Sequence, residues 1–366
     1  MNPEPGITSF EINPLHLPFD QYGRYRMIQE ALDAVRPTIG ERLRILDVGG
    51  FFRTGRGVDI LPVRAFLPDD DLLVIDQQPG TLPGYIQGDG RNLDFDDHSF
   101  DFVISCDTLE HVPNPDRPAF WQELLRVARY GVLLAAPFAG PEVVAAEELL
   151  FAYIQAELGV EQRQLKEHHD YGLPDLEQTC AFLDAKGWRH HTYPSGYIHA
   201  WLAMMIAKHY LLGQTNDHDL HEQLDAYYTR FLSADERREP AYRHMVLVEC
   251  DGHGDWLSAA DAALQPTICT NAPASQPTWS AVTNWLFQFF SINLDQQSTG
   301  PLAQTVAVQA QTIQMLQHAL TQREAQVQDL EQRARWLEEQ AMASRRALTA
   351  VEQGRVMRLM RWLSKQ

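Results

Sequence analysis

The segment RILDVGG at residues 44–50 opens a run of five apolar stretches that decides the fold. The later stretches read LLVID (72–76), GDGRNLDF (88–95), SFDFVISCDTLEHV (99–112) and GVLLAAP (131–137). They follow one another at the spacing of a strand plus its connection, and several end in an acidic residue or a glycine turn. This repetition predicts a doubly wound α/β sheet that binds a nucleotide-like ligand at its strand ends.

The periodicity of the apolar residues predicts seven strands in a mostly parallel sheet. We place them at residues 43–48, 72–75, 85–87, 100–106, 131–136, 188–193 and 243–249. Helical spacing predicts helices at residues 22–35, 119–129, 176–186, 197–212 and 218–231. The last two helices form an insertion at about 197–235, and the strands on either side of it are expected to pair like a hairpin.

The sequence also predicts how the chain is divided. The predicted segments are an N-terminal segment with a leading helix (1–40), the α/β domain (41–252), a linker with a short aromatic helix (253–300), a coiled coil (301–354) and a basic amphipathic tail (355–366). The heptad positions of the fourth segment are mostly apolar or alanine, which predicts a homo-oligomer. The alternative is one long amphipathic helix on the protein's own core. The basic tail could bind an anionic membrane or a partner protein. The alternative is that it is a helix end whose cations complement the helix dipole.

Composition restricts the cellular setting and the substrate. The chain has 366 residues and a formal charge of −19, so most of its surface would repel nucleic acid, which we exclude as a substrate. Four widely spaced cysteines without C-x-x-C spacing indicate a reducing compartment. An acidic N-terminus does not fit a secretory signal, and no apolar stretch is long enough to span a membrane. We therefore expect a cytoplasmic protein, with the tail at the inner membrane face as a further option.

Acidic residues and glycines stand at the predicted strand ends. Asp47 leaves the first strand, where its carboxylate can hold an ammonium group or organise the loop, while Gly49 and Gly50 let the backbone approach a ligand. Asp76 ends the second strand, where a carboxylate can accept hydrogen bonds from two ribose hydroxyls. Asp89 follows the third strand, where it can accept a hydrogen bond from an adenine amino group.

This order of residues, with LEHV (109–112) after the fourth strand, resembles the class I S-adenosylmethionine-dependent methyltransferases, specifically the small-molecule branch called type 11 or type 23. The resemblance covers residues 22–138 well and the remainder loosely. It implies a Rossmann-like methyltransferase fold with S-adenosylmethionine as cofactor. The residues that it implies at the cofactor are Asp47, Gly49 and Gly50 in the first loop, Asp76 with Gln77 at the ribose, Asp89 with Gly90 at the adenine, and Cys106 with Asp107 near the methionine moiety.

The first loop departs from the family pattern. Two phenylalanines, Phe51 and Phe52, follow the paired glycines, and the third glycine comes late, at Gly55. Either the loop is rebuilt around the phenylalanines or its affinity for cofactor is reduced. A noncatalytic coiled-coil scaffold with a degenerate methyltransferase fold is therefore the alternative function. A nicotinamide oxidoreductase would need G-x-G-x-x-G leading into a helix, and this loop does not contain it.

Histidines are the candidate catalytic residues, because a hydroxyl acceptor must lose a proton. His168 and His169 lie in KEHHDYGLP (166–174), which is similar to a segment of sugar-associated methyltransferases and which we interpret as a loop above the strand ends. The alternative is a capped loop with both histidines facing solvent. His111 is the third candidate, and lining the acceptor pocket is the role that we favour for it over that of the base.

The sequence predicts no catalytic metal. Asp107, Glu110 and His111 have suitable ligand chemistry, but they follow one another on a strand-to-helix turn and would not all point one way. The predicted function is methyl transfer to the oxygen of a small hydroxylated acceptor, that is, O-methyltransferase activity. By analogy with coiled-coil enzymes of bacterial glycan assembly, that acceptor is a sugar of a cell-surface glycan.

The coiled-coil hypothesis is testable by deletion. Removing residues 302–366 should lower the mass of the particle in light scattering from an oligomer to a monomer, because the apolar seam is what would hold the chains together. Deleting residues 355–366 alone is the control and should leave the mass unchanged except for the residues lost. A full-length chain that is already monomeric would contradict the hypothesis.

Overall fold

Nine strands are present in the structure, a computed structural model that describes residues 12–215, 218–250 and 255–265. They are β1 (Arg44–Val48), β2 (Phe52–Arg53), β3 (Asp59–Ile60), β4 (Asp71–Asp76), β5 (Tyr85–Gln87), β6 (Phe100–Cys106), β7 (Ala128–Pro137), β8 (His190–Tyr197) and β9 (Ala241–Glu249). Seven of them form the main sheet, as predicted, while β2 and β3 pair as a small separate hairpin.

The order of the strands in the main sheet is β5-β4-β1-β6-β7-β9-β8. The first five run parallel, and β9 is antiparallel to both of its neighbours. The direction of strand addition reverses between β1 and β6, which is where open α/β sheets bind their ligands. The predicted pairing of the last two strands is confirmed, with β9 lying between β7 and β8.

Eight helices surround the sheet in the described part of the chain. They are α1 (Phe19–Ile39), α2 (Arg117–Val127), α3 (Pro141–Leu158), α4 (Arg163–Tyr171), α5 (Leu176–Ala185), α6 (Ile198–Gln214), α7 (His218–Phe231) and α8 (Trp256–Leu264). The sequence predicted five of them but missed α3, α4 and α8. The interpretation of residues 166–174 as a loop is wrong, since most of them belong to α4.

The core divides along the two faces of the sheet, because successive side chains of a strand point to opposite faces. Ile45 packs on the face covered by α1 and α8, whereas its neighbour Leu46 packs on the face covered by α2. A third apolar cluster joins α3, α4, α6 and α7 above the carboxyl ends of the strands. Strands buried on both faces appear in the sequence as continuous apolar runs, which explains why they could be predicted.

Helix α8 shows that the α/β domain extends beyond its predicted end. The sequence placed the end near residue 252 and a linker after it, but Trp256 and Leu257 are fully buried and pack with α1. The Trp256 indole donates a hydrogen bond to the carbonyl oxygen of Tyr130 at 3.0 Å, and its ring contacts Phe102 edge-on. The α/β domain therefore extends at least to Leu264.

Several predictions concern residues outside the described ones. These are the coiled coil at 301–354, the basic tail at 355–366, the aromatic helix within 253–300 and the reduced state of Cys269. Within the described residues, none of the helices has the length and apolar content required to cross a membrane. Among the described residues, Cys106, Cys180 and Cys250 form no disulfide bond.

Replacing Trp256 tests whether α8 belongs to the core. Trp256→Ala should lower the free energy of unfolding by about 3–5 kcal/mol, because it removes a fully buried indole and leaves a cavity between α1 and β6. Urea unfolding followed by circular dichroism measures the change. Ala262→Ser, at an exposed position of the same helix, should change stability by no more than about 0.5 kcal/mol. Equal stability of the two variants would mean that α8 does not pack as described.

Candidate active site

A cavity of about 850 Å³ opens at the carboxyl ends of β1, β4 and β6. This is the point at which the strand order reverses, and the volume lies within the range of about 300–1,000 Å³ that is usual for small-molecule sites. The wall on one side consists of the loops after β1, β4 and β5, and the opposite wall includes residues of α1, α4 and β9. The sequence predicted the first wall and largely missed the second.

The loop after β1 packs so closely against neighbouring side chains that two of its positions have no room for a Cβ atom. Gly49 has a φ of +87°, which favours glycine, and a Cβ there would overlap the side chain of Thr108. A Cβ on Gly50 would overlap the carboxylate of Asp47. Asp47 is fully buried and accepts a hydrogen bond from the Tyr25 hydroxyl at 2.8 Å. Gly49 and Gly50 line the cavity, whereas Asp47 is not among the residues of the lining. Both expected roles of Asp47 stay predictions.

The two phenylalanines rebuild the first loop. The Phe51 side chain is buried and packs on Tyr85, with ring centroids 5.1 Å apart. The Phe51 amide donates a 3.3 Å hydrogen bond to Asp76, so the loop is tied to the end of β4. Phe52 begins the small β2–β3 hairpin. The loop is therefore rebuilt around the phenylalanines, and its affinity for cofactor stays a prediction.

Asp76 lines the cavity as predicted and keeps acceptor capacity. Its Oδ1 atom accepts a hydrogen bond from the Gln78 amide at 2.9 Å, and Oδ2 accepts the Phe51 bond. A carboxylate has about four acceptor sites, so Asp76 can accept further hydrogen bonds. Burial raises the pKa of Asp76, although its backbone partners act in the opposite direction. Gln77, next to it, also lines the cavity.

The loop after β5 brings Asp89 and Gly90 to the same cavity. Arg91 holds the Asp89 carboxylate, with Nη2 at 2.6 Å from Oδ2, and thereby lowers the pKa of Asp89. A Cβ on Gly90 would approach Phe120 and Val48 to 2.6 and 2.7 Å, so this position requires a residue without a side chain. Both predicted residues are in place, but the sequence analysis missed the Arg91 partner.

At the end of β6, Asp107 is held by two arginines that the sequence analysis missed. Arg243 contacts both carboxylate oxygens of Asp107 at 2.6 Å, and Arg24 forms a second ion pair with it. Burial alone would raise the pKa of Asp107, but the two guanidinium groups hold it well below its usual range. Cys106 is buried beside it, and burial raises the pKa of its thiol. An arginine inside the apolar run of β9 was the available signal.

The histidines divide into two groups. His111 and His168 line the cavity, with ring centroids 4.8 Å apart, whereas the His169 side chain is 84% exposed and lies outside the cavity lining. His169 is therefore wrong as a candidate catalytic residue, because the helix α4 turns it towards solvent. Burial lowers the pKa of His111, and so does the nearby His168, which keeps the His111 imidazole neutral near pH 7.

Comparison with known proteins supports the interpretation of the fold. Residues 66–136 match the sequence model of a family described as "Methyltransferase domain". The chain contains a methyltransferase domain. S-adenosylmethionine is the cofactor of this family. No curated protein sequence matches the chain.

Several solved structures are similar to the methyltransferase domain. The YcgJ protein of Bacillus subtilis is 12% identical, with 61% of this chain and 97% of that one covered and a TM-score of 0.35. A Thermotoga maritima protein, described as a possible histamine N-methyltransferase, is 13% identical (65% and 91% covered, TM-score 0.35). Magnesium protoporphyrin IX methyltransferase of Synechocystis, with bound SAH, is 12% identical (63% and 85% covered, TM-score 0.34).

The burial of Asp47 predicts a pH dependence of stability. Burial raises the pKa of Asp47 to about 7, from 3.8. A raised carboxyl pKa means that the folded chain keeps a proton that the unfolded chain releases, so the stabilisation is complete below pH 3.8 and is lost as pH rises through 7. Asp47→Asn should abolish this dependence. The stability of the original protein relative to the variant should fall by on the order of 3 kcal/mol between pH 5 and pH 8.

Urea unfolding at several pH values gives this difference directly. Glu236 is also buried with its pKa raised to about 7, but it titrates in both proteins and cancels in the comparison. A stability difference that stays constant from pH 5 to pH 8 would show that Asp47 remains charged in the folded protein.

Proposed function

We propose that this chain transfers a methyl group from S-adenosylmethionine to a hydroxyl group of a small acceptor. The observation that carries the proposal is that a single cavity joins two unlike walls. Gly49 and Asp76 lie on the wall at the ends of β1 and β4, and His111 and His168 lie on another part of the lining. A nucleotide-like cofactor fits the chemistry of the first wall, and a hydroxylated acceptor fits the second.

The chain's residues at the first wall suit the cofactor. The Asp76 carboxylate has acceptor capacity for the two ribose hydroxyls, and the absence of a side chain at Gly49 and Gly50 allows close approach to the loop. Asp89 and Gly90 border the same space from the loop after β5. When bound, S-adenosylmethionine supplies a methyl group on a positively charged sulfonium. These residues then need only hold and align the two reactants.

A hydroxyl acceptor requires proton removal as well as alignment. As its oxygen receives the methyl group, an oxygen–carbon bond forms, the sulfur–carbon bond breaks and the hydroxyl proton leaves. Asp107 is unsuited to accept this proton, because Arg24 and Arg243 stabilise its charged form. We place the removal of the proton at the wall formed by His111 and His168.

The lining of the cavity supports a sugar as the acceptor. Trp201 and Tyr242 belong to the lining, stack on each other with their ring centroids 3.6 Å apart, and are only 2% and 3% exposed. The small apolar surface that they expose lies in the same lining as polar side chains that can bind the hydroxyl groups of a sugar. We propose that the acceptor is a sugar unit of a glycan and that the oligomer forms through residues 302–351, with residues 355–366 meeting a membrane or a partner.

Asp76 provides the test of the cofactor assignment. Asp76→Ala should weaken the binding of S-adenosylmethionine and of S-adenosylhomocysteine on the order of 100-fold, because two hydrogen bonds to a charged acceptor are lost. Isothermal titration calorimetry measures both affinities. Asp71→Ala removes an exposed carboxylate from the start of the same strand and should leave them unchanged.

The same titration separates the enzyme from the scaffold. If the unaltered protein binds neither compound, the rebuilt first loop has lost its cofactor and the noncatalytic scaffold becomes the better interpretation. If Asp76→Ala binds as tightly as the unaltered protein, the ribose assignment is wrong although a cofactor is bound.

A further inference from the structure

Three side chains lie together on the part of the cavity lining that includes His111 and His168, which we call the acceptor wall, and their possible ligand atoms are close to one another. One atom each of Glu110, His111 and His168 lies within 4.8 Å of the other two. Glu110 and His168 are 99% and 94% buried, and Glu110 Oε2 and His168 Nε2 have no hydrogen-bond partner. His168 Nε2 is 4.0 Å from Glu110 Oε1, which is too far for a hydrogen bond. Buried polar atoms without a partner are costly, so their shared orientation points to a missing ligand.

A carboxylate contacts the Nδ1 atom of each imidazole. His168 Nδ1 is 2.8 Å from Glu147 Oε1, and His111 Nδ1 is 2.9 Å from Glu167 Oε2. With a proton on each Nδ1, both Nε2 atoms carry the lone pair that a metal ion needs. A carboxylate that orients the second nitrogen of a ligating histidine is the usual outer shell of protein metal sites.

The two supporting carboxylates are themselves fixed. Glu147 also accepts a 2.7 Å hydrogen bond from the Tyr242 hydroxyl, and Glu167 accepts a 2.8 Å bond from Arg163 Nε. The arrangement thus has an inner set of three side chains, an outer set of two carboxylates and further groups that orient the outer set. A chance cluster of polar residues would not need two further sets of groups to orient its side chains.

We propose that Glu110, His111 and His168 bind one divalent first-row transition metal ion. Two imidazoles with one carboxylate suit Zn²⁺, Fe²⁺ or Co²⁺, whereas Mg²⁺ and Ca²⁺ prefer oxygen ligands alone. Bonds of about 2.1 Å place neighbouring ligand atoms about 3.0–3.5 Å apart, so the three side chains need to close by up to about 1–2 Å. All three line the cavity, which leaves coordination positions open towards the acceptor.

The sequence expectation of no metal rested on a different set of residues. It considered Asp107, Glu110 and His111, which follow one another along the chain. In the structure Asp107 is engaged by two arginines, and α4 supplies His168 in its place. The third ligand thus comes from a helix that the sequence analysis interpreted as a loop.

The metal would explain how the acceptor wall removes a proton, and this part of the inference rests on the proposed function. A hydroxyl group that coordinates a divalent cation has a lowered pKa and releases its proton to water. The resulting oxygen is then free to form its bond to the methyl carbon. In this arrangement the two histidines act as ligands, and neither needs to accept the proton.

The experiment measures metal binding without cofactor. Full-length protein treated with a chelator is titrated with Zn²⁺ by calorimetry, and bound zinc is counted by mass spectrometry after dialysis. We expect one tightly bound zinc per chain. His168→Ala and Glu110→Gln should each weaken this binding at least 100-fold, and Glu147→Gln should weaken it about 10–100-fold. Replacing Zn²⁺ by Co²⁺ should give visible absorption bands that are lost in His168→Ala.

His169→Ala is the matched control, because it removes the neighbouring but exposed imidazole. It should bind zinc like the original protein. His111→Gln alters a ligand that is not fully buried and serves as the second variant if His168→Ala does not fold, as judged by circular dichroism. The proposal is overturned if no stoichiometric zinc is bound, or if folded His111→Gln or His168→Ala protein binds zinc as tightly as His169→Ala.

Zinc binding and cofactor binding fail independently. Asp76→Ala should retain the zinc affinity of the original protein while losing S-adenosylhomocysteine. Zinc binding in a protein that never binds cofactor would preserve the metal site and reject the proposed function. Cofactor binding without zinc would reject the metal site and preserve the proposed function. The imidazoles would then be the groups that accept the proton.

Discussion

The ion pairs of Asp107 with Arg24 and Arg243 connect three elements that are far apart in the chain. The carboxylate ends β6, while the two arginines come from α1 and from β9. Asp107 has a φ of +47°, so the backbone adopts an uncommon conformation at the point where the charges meet. Loss of the Asp107 carboxylate would leave two buried guanidinium groups without their shared partner, and breaking a buried ion pair in this way typically costs about 3–5 kcal/mol. The wall of the cavity depends on this cluster because it fixes where β6 ends.

The central sheet was predictable because its physical signal is local. Parallel strands covered on both faces must be apolar along their length, and β6 was predicted with its observed bounds for this reason. Helices α4 and α8 give weaker signals. Helix α4 is short and mostly polar, with Leu165 and His168 as its buried residues, and α8 is rich in alanine and follows a segment of glycine, histidine and aspartate. Packing against distant elements is needed to stabilise them.

The site was predictable to the extent that it follows the strand ends. Asp76 and Gly49 were identified because a ligand at the switch point of a doubly wound sheet must contact the residues that leave β1 and β4. The partners of those residues come from elsewhere in the chain. Tyr25 on Asp47 and Glu147 on His168 are long-range contacts, and no spacing in the sequence encodes them. The exposure of His169 likewise depends on the orientation of a helix that the sequence did not predict.

The position of β9 between β7 and β8 has a consequence for how the chain folds as it is synthesised. Strand β7 is apolar and becomes an interior strand only when β9 pairs with it, yet about 100 residues separate the two along the chain. At ribosomal rates of about 5–20 residues per second, β7 exists without its partner for on the order of 5–20 s. During that interval an unpaired apolar edge can pair with other chains. Nascent chains that carry the loops after β1, β4 and β5 but lack β9 are therefore the species most in need of a chaperone.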